Sequence, residues 1–172
     1  MMKQKGLLFL TAILFALSPF TTYAQSGQEF KDPGGKFRIT LLGDWRAVSY
    51  SDAVGREKTE FVYRDRSEGL LKITRESLGG GSLESKVSQE EESLRLSRPG
   101  FERAASEPFG GGALRGIRFS FYSNDGGRRM AATHYYLQDG NSVWVLRFSG
   151  RRGSVDTIRN VTDQMARSFS PQ

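Results

Sequence analysis

The chain has 172 residues, a formal net charge of +6 and no cysteine. The length allows a single domain with its own hydrophobic core, and the lack of cysteine excludes a disulfide-stabilised fold. A charge of +6 on such a chain is only mildly basic, which argues against a polycationic nucleic-acid binder.

Residues 1–24 have the three parts of a secretory signal peptide. Two lysines form a positively charged start, and residues 7–17 are apolar except for one threonine. Residues 22–24, Thr-Tyr-Ala, then place small residues at the two positions that a signal peptidase needs. We predict cleavage after Ala24, which leaves a secreted or periplasmic single domain of residues 25–172 with a net charge of +4. An uncleaved anchor is the alternative. No later apolar run approaches membrane length, so we expect no transmembrane segment after cleavage.

Alternating apolar and polar residues predict the strands of the first half of the domain. Phe37, Ile39 and Leu41 alternate with polar residues, as in a strand with one buried face. Similar but weaker patterns predict further strands or extended segments at residues 46–51, 59–63, 70–76 and 101–109. The polar residues 25–29 predict no regular element.

A helix is predicted from Leu83 to Arg98, between a glycine triplet and Pro99-Gly100. The hydroxyl of Ser82 can serve as its N-cap. The helix has few apolar positions, and we expect the acidic residues 90–92 to lie on a solvated face.

The last third of the chain carries the strongest strand pattern. Strands are predicted at residues 114–122, 130–138 and 142–149, with turns at 124–127 and 139–141. In the third of these strands, Trp144, Leu146 and Phe148 point to one face, whereas Val143 and Val145 point to the other. Because both faces are apolar, this strand is predicted to be central and covered on both sides. Trp144 and Phe148 are predicted core residues under the following helix.

The final helix is predicted to begin at Ser154, whose hydroxyl can cap it. Apolar side chains three or four residues apart then form one stripe that must pack on the sheet: Val155, Ile158, Val161, Met165 and Phe169. The order of elements predicts an α+β fold in which an antiparallel β-sheet is sandwiched by helices.

Three segments carry a family resemblance. Residues 30–41 read Phe-Lys-Asp-Pro-Gly-Gly-Lys-Phe-Arg-Ile-Thr-Leu and precede Trp45, residues 134–146 span the hairpin around Asp-Gly-Asn, and the final helix closes on Ser168-Phe169. Together they resemble the PsbP family, whose founding member is the extrinsic oxygen-evolving-complex protein of photosystem II. The resemblance implies an antiparallel sheet sandwiched by helices. It also implies a non-catalytic role in the binding, assembly or stabilisation of a larger complex.

Residues with catalytic potential are sparse. His134 is the only histidine, and a metal site or a catalytic triad needs partners for it. We therefore expect His134 to be a packed strand residue rather than a metal ligand or a general base. Scattered carboxylates could still form an oxygen-ligand site: Asp52, Glu57, Asp65 and Glu68. We predict no catalytic residue, no metal site and no cofactor, and hence that the protein is not an enzyme.

Two functions remain open at this point. The first is an exported, non-catalytic binding or assembly module that acts on a protein complex in the cell envelope. The alternative is a carrier of a small apolar or lipid-like ligand held between sheet and helix. A carrier predicts a cavity of about 300 Å³ or more between sheet and helix, whereas a binding module predicts a filled core and a surface patch.

Four arginines are the candidate binding residues. If Gln138 pairs with Ser142, Arg129 lies opposite Arg151, and the preceding hairpin turn closes at the same end of the sheet. Arg128, Arg129, Arg151 and Arg152 are therefore predicted to gather there. Such a group could be a solvated rim, or it could dock an acidic partner surface or anionic lipid headgroups. We expect the partner to be a protein of unknown identity, and we expect no binding to nucleic acid.

Overall fold

A seven-stranded antiparallel sheet is the centre of the computed structural model, which describes residues 27–55 and 57–172. The predicted signal peptide and its cleavage site lie outside these residues. The strands, in spatial order from one edge to the other, are β3 (Trp45–Ser51), β4 (Glu57–Tyr63), β5 (Gly69–Ser77), β9 (Ser142–Arg151), β8 (Arg128–Asp139), β7 (Leu114–Asp125) and β6 (Glu102–Gly111). Strand β9 is the fourth of the seven, which confirms its predicted central position.

A second, three-stranded sheet was not expected. It consists of β1 (Gly27–Lys31), β2 (Phe37–Leu42) and β10 (Ser170–Pro171), with β2 in the middle. For residues 27–29, strand β1 corrects the expectation of no regular structure, while residues 25–26 lie outside the described ranges. Its burial pattern is almost entirely exposed, so it lacks the apolar alternation that identified β2, and pairing with β2 holds it in place.

Helices cover both faces of the central sheet. Helix α1 (Leu83–Ser97) packs on β7 and β8 from one side, and its N-cap Ser82 accepts a hydrogen bond from the backbone N–H of Ser85 at 3.1 Å, as predicted. Helices α2 (Arg152–Thr157) and α3 (Arg159–Ser168) pack on the other side, together with the small sheet. This arrangement is the predicted α+β sandwich. Within the described ranges, no helix is long and apolar enough to cross a membrane.

The C-terminal helix differs from its prediction in two ways. It is divided at Ile158, which has φ −94° and ψ 10° and separates α2 from α3. Ser154 is not the N-cap, because α2 already begins at Arg152. The backbone oxygen of Ser154 instead accepts the N–H of Ile158 at 3.1 Å.

The predicted core residues of β9 are buried. Trp144 is 4% exposed and Phe148 1% exposed. The ring of Trp144 lies 5.3 Å from that of Phe169 after α3, and the ring of Phe148 packs edge-on against Trp45 and Tyr135. Val143 and Val145 belong to a second cluster, on the face that α1 covers. Both apolar faces of β9 are therefore used, as the sequence predicts.

Candidate functional site: an arginine-lined recess at one end of the sheet

The hairpin register differs by one residue from the predicted one. Asp139, not Gln138, pairs with Ser142, and Gly140 occupies the turn with φ 58°. At the other end of the hairpin, Arg151 therefore lies opposite Met130. The prediction that Arg129 faces Arg151 is wrong, because a one-residue slip moves every pair along the ladder.

The sheet separates the four predicted arginines into two pairs. Arg128 and Arg151 line one recess on the face that α1 covers. Strand alternation places Arg129 on the opposite face. Arg152 also lies there, with its guanidinium 3.8 Å from the ring centroid of Tyr122. Only half of the predicted group is thus brought together.

A third arginine, Arg66, completes the recess, and the sequence reasoning did not identify it. Arg66 belongs to the turn between β4 and β5, which lies against the end of β9. The backbone N–H of Arg151 donates to the carbonyl oxygen of Ser67 at 2.9 Å. A side chain at Gly150 would place its Cβ 2.3 Å from the carbonyl oxygen of Glu68, so this close approach requires glycine. The glycine before Arg151 was the only local signal of the contact.

The β4–β5 turn is held in shape by Asp65. One carboxylate oxygen of Asp65 accepts hydrogen bonds from the backbone N–H and the hydroxyl of Ser67, at 2.7 and 2.6 Å. These hydrogen bonds, together with the positive charge of Arg151 and the N–H of Glu68, lower the pKa of Asp65. The turn that presents Arg66 is therefore ordered by its own side chains.

The recess has a volume of about 460 Å³ and an excess of positive charge. Arg66, Arg128 and Arg151 line it together with a single carboxylate, that of Asp125. Arg66 is already paired, since its guanidinium lies 3.1 Å from the carboxylate of Glu60. In the described part of the chain, neither Arg128 nor Arg151 makes an ion pair within 4 Å. Two such guanidinium groups can bind a carboxylate or phosphate from outside in bidentate geometry.

The space between α2 and the sheet is small. A recess between α2 and strands β7 and β8 has a volume of only about 160 Å³. Elsewhere on this face, the core side chains under α3 are almost fully buried: Tyr135, Leu146, Phe148, Met165 and Phe169. The volume is below the roughly 300 Å³ of a typical ligand pocket.

His134 is packed between the sheet and α1, as predicted, but its neighbours were not foreseen. It is 6% exposed, and its Nδ1 lies 3.1 Å from a carboxylate oxygen of Glu90. Glu90 also accepts hydrogen bonds from Arg147, which in turn donates to Glu76 at 2.9 Å. The expectation that Glu90 lies on a solvated face is wrong, because its side chain is only 19% exposed and points to the sheet.

The protonation states of this group follow from burial and partners. Burial would raise the pKa of Glu90, but hydrogen bonds from His134 and Arg147 outweigh it and hold that pKa at about 2. Burial lowers the pKa of His134, which Glu90 offsets only in part. The group is thus an ionised Glu90 that receives N–H groups from a neutral histidine and an arginine.

The carboxylates suggested for an oxygen-ligand site do not converge. Asp65 is engaged by Ser67 in its turn, and Asp52 lies 3.7 Å from the amine of Lys58. Among residues 27–55 and 57–172, no group of three or more histidine, aspartate or glutamate side chains could hold a metal ion.

Comparison with known proteins identifies the fold. No family model and no curated protein sequence matches the chain. Solved structures do match, among them cyanobacterial PsbP (CyanoP) from Synechocystis sp. PCC 6803. CyanoP is 14% identical, and the match covers 90% of this chain and 98% of CyanoP with a TM-score of 0.59.

Two other solved structures are similar to the same extent. LpqN of Mycobacterium tuberculosis, described as involved in cell envelope biogenesis, is 12% identical over 86% of this chain and 91% of its own, with a TM-score of 0.61. The Ran-binding protein Mog1p of Saccharomyces cerevisiae is 10% identical over 86% of this chain and 96% of its own, with a TM-score of 0.57. At such identities the similarity is one of fold. This chain therefore has a PsbP/Mog1-like α+β sandwich, and its resemblance to the PsbP family holds at the level of the fold.

Proposed function

We propose that the protein is an exported, non-enzymatic binding module that docks an acidic surface of a protein complex in the cell envelope. The observation that carries this proposal is the convergence of Arg66, Arg128 and Arg151 from three separate elements on one recess. Arg128 and Arg151 face it without an ion pair in the described ranges, so an acidic side chain of a partner is their natural counterpart.

The interior of the molecule favours a binding module over a carrier. A carrier needs room between sheet and helix, and the recess between α2 and the sheet has a volume of about 160 Å³. The rest of that interface is filled by buried aromatic and aliphatic side chains. A filled core and a charged surface recess are the features expected of a module that acts through its surface.

The structural neighbours are compatible with this function. Mog1p is described as a Ran-binding protein and LpqN as involved in cell envelope biogenesis. Both descriptions concern those proteins, and their low identity gives no residue-level correspondence. The signal peptide predicted from residues 1–24 supports export, and the burial of His134 beside Glu90 supports a role for it in packing rather than catalysis.

The docking proposal is tested by reversing charge on one face at a time. Arg128→Glu with Arg151→Glu is expected to abolish capture of envelope protein complexes and to slow association with polyglutamate, because two positive charges that line the recess become negative. Association of the unchanged protein should also weaken between low and physiological salt, as electrostatic steering does.

The matched control is Arg129→Glu with Arg152→Glu, which makes the same change of charge on the other face of the sheet. A cooperative thermal unfolding transition in each double variant is required, to show that both of them fold. If both variants lose binding equally, net charge is responsible rather than the recess. If only anionic phospholipid vesicles bind, the partner is a lipid surface and the proposal of a protein partner is wrong.

Export is tested separately. Mass spectrometry of the protein recovered from the periplasm or the medium should find Gln25 at the N-terminus. A recovered protein that retains residues 7–17 would contradict cleavage after Ala24.

A further inference from the structure

The ladder between β4 and β5 stops although both strands continue. Only residues 61–63 of β4 pair with residues 69–71 of β5. Beyond these pairs, and within the described ranges, residues 57–60 pair with β3 alone and residues 72–77 pair with β9 alone. A strand inside a sheet uses alternate N–H and C=O groups on its two sides. The facing edges of this fork therefore carry hydrogen-bonding groups without a strand partner in the described part of the chain.

A recess of about 830 Å³ lies at the fork. Both strands line it, as does the turn between β1 and β2. Its apolar lining comes from Phe37, Ile73 and Trp144, with the guanidinium of Arg75 5.5 Å from the ring centroid of Trp144. The volume falls within the 300–1,000 Å³ that is typical of binding clefts.

The other side of the fork carries two exposed lysines. Strand alternation places Lys58 and Lys72 on the face away from Trp144. Their amines lie 3.7 Å from Asp52 and 3.8 Å from Glu60, and the two lysine side chains are 50% and 58% exposed. The carboxylates of Asp52 and Glu60 are only 18% and 13% exposed, but each exposed lysine amine has three N–H donors, so it can also bind a carboxylate from a partner.

We propose that an extended peptide segment of a partner protein adds to the free edge of β5 as an extra strand. Its apolar side chains pack on Phe37, Ile73 and Trp144, and its acidic side chains face Lys58 and Lys72. Successive side chains of a strand point to opposite faces, so a segment that alternates apolar and acidic residues complements both sides of the fork at once. Main-chain hydrogen bonds supply affinity in this mode of recognition. The site has no lining residue in common with the arginine recess, although Glu60 pairs with both Lys72 and Arg66.

Hydrogen exchange with a defined probe tests the proposal. The probe is an acetylated and amidated hexapeptide of alternating valine and glutamate. At saturation it is expected to slow the exchange of the amides that face the fork in residues 72–77 by about tenfold or more, because they acquire carbonyl partners. A valine–lysine hexapeptide and an N-methylated valine–glutamate hexapeptide should give no such protection. Unchanged exchange at millimolar probe, or equal protection by all three peptides, overturns the proposal.

Charge variants locate the bound peptide. Lys58→Glu with Lys72→Glu is expected to weaken probe affinity about tenfold, measured by tryptophan fluorescence, because the acidic side chains then meet carboxylates. The matched control is Arg115→Glu with Arg129→Glu, two exposed arginines outside the fork, which should leave the affinity unchanged. An equal loss of peptide affinity in both variants means that net charge attracts the peptide, and the proposed binding site at the fork is then wrong.

Engineered cysteine pairs test whether β4 and β5 are separated at the fork, because the chain has no cysteine of its own. Ser49→Cys with Thr59→Cys joins a paired position, where the native hydroxyl oxygens lie 3.2 Å apart. Thr59→Cys with Ile73→Cys joins positions that would face each other only if the β4–β5 ladder continued. Mild oxidation is expected to link the first pair and to leave the second free, since a disulfide needs Cα atoms within about 7 Å. Rapid linkage of the second pair without peptide means that the fork is closed in solution and overturns the proposal.

Discussion

On one face of the central sheet, α3 packs mainly through apolar side chains, with one polar cluster in which the carboxylate of Asp163 accepts hydrogen bonds from Tyr135 and Arg118. Met165 and Ala166 are fully buried there, within a cluster that includes Phe148 and Phe169. On the other face, α1 contributes two buried apolar side chains, Leu83 and Val87, and reaches the sheet through charged ones.

The polar contacts of α1 are numerous. Glu90 joins His134 and Arg147, and the amine of Lys86 lies 2.7 Å from the carboxylate of Glu76 on β5. Apolar burial involves no titrating group, whereas the stability of a network of partly buried charges depends on pH. The two faces should therefore respond differently to mutation and to acid.

The largest effect is expected on the apolar face. Phe148→Ala removes a ring that is 1% exposed and packs on Trp45 and Tyr135. The lost burial and the cavity should lower the free energy of unfolding by about 3–5 kcal/mol, measured by urea denaturation. An unchanged midpoint would mean that the orientation of β9 is wrong.

A smaller loss is expected on the polar face. Glu90→Gln removes the charge that accepts hydrogen bonds from His134 and Arg147, which should lower the free energy of unfolding by about 1–3 kcal/mol. Glu92→Gln, at an exposed position of the same helix, is the control and should change it by less than about 0.5 kcal/mol. Equal effects of the two variants would show that the network adds nothing.

Acid is expected to lower the stability of the folded protein through His134. Burial lowers the pKa of His134 in the folded protein, while an unfolded histidine titrates near about 6.5. The unfolded state then binds more protons as pH falls below about 6.5, and stability decreases. His134→Gln should remove this dependence in thermal melts between pH 5 and 8 and leave binding of acidic partners unchanged. A slope that persists in the variant would assign it to other groups.

Glu90 gives a second, lower pH window. Its pKa of about 2 in the folded protein lies below the roughly 4.3 of an unfolded glutamate. The stability it contributes is present above about pH 4.3 and is lost as pH falls toward 2. In Glu90→Gln this loss should disappear, and the remaining acid sensitivity should come from other carboxylates.

The smallest effect is expected at the start of α1. Ser82→Ala removes the hydroxyl that accepts the backbone N–H of Ser85, and N-cap substitutions of this kind cost about 1 kcal/mol. Helix α2 has no side-chain cap, so Ser154→Ala should change the free energy of unfolding much less. Equal losses at the two serines would contradict the assigned start of α2.

Features that depend on residues close together in the sequence were predictable from it. The alternation of Phe37, Ile39 and Leu41, the two faces of β9 and the Ser82 cap are all local patterns. The register of the β8–β9 hairpin was missed by one residue, because Asp139–Asn141 is compatible with more than one turn length and turn length sets register.

Long-range contacts were not predictable in the same way. The sequence around Glu90 in α1 is polar and predicts a solvated helix face. Its partner Arg147 lies 57 residues further along the chain. Arg66 reaches the recess only because the β4–β5 turn lies against Gly150. Strand β1 has no apolar pattern and exists through its pairing with β2. In each case tertiary contact, rather than local sequence, determines the result.

The position of β9 also affects how the chain can fold. Strand β9 is the second-last strand in sequence but the middle one in space, and it alone joins the β3–β4–β5 meander to strands β6–β8. The pairing of Leu70 with Ser149 spans about half of the chain, and contacts of such separation form slowly. The sheet therefore cannot close until the C-terminal part has been synthesised. Late closure of this kind suits a polypeptide that has to pass a membrane in extended form, as the proposed export requires.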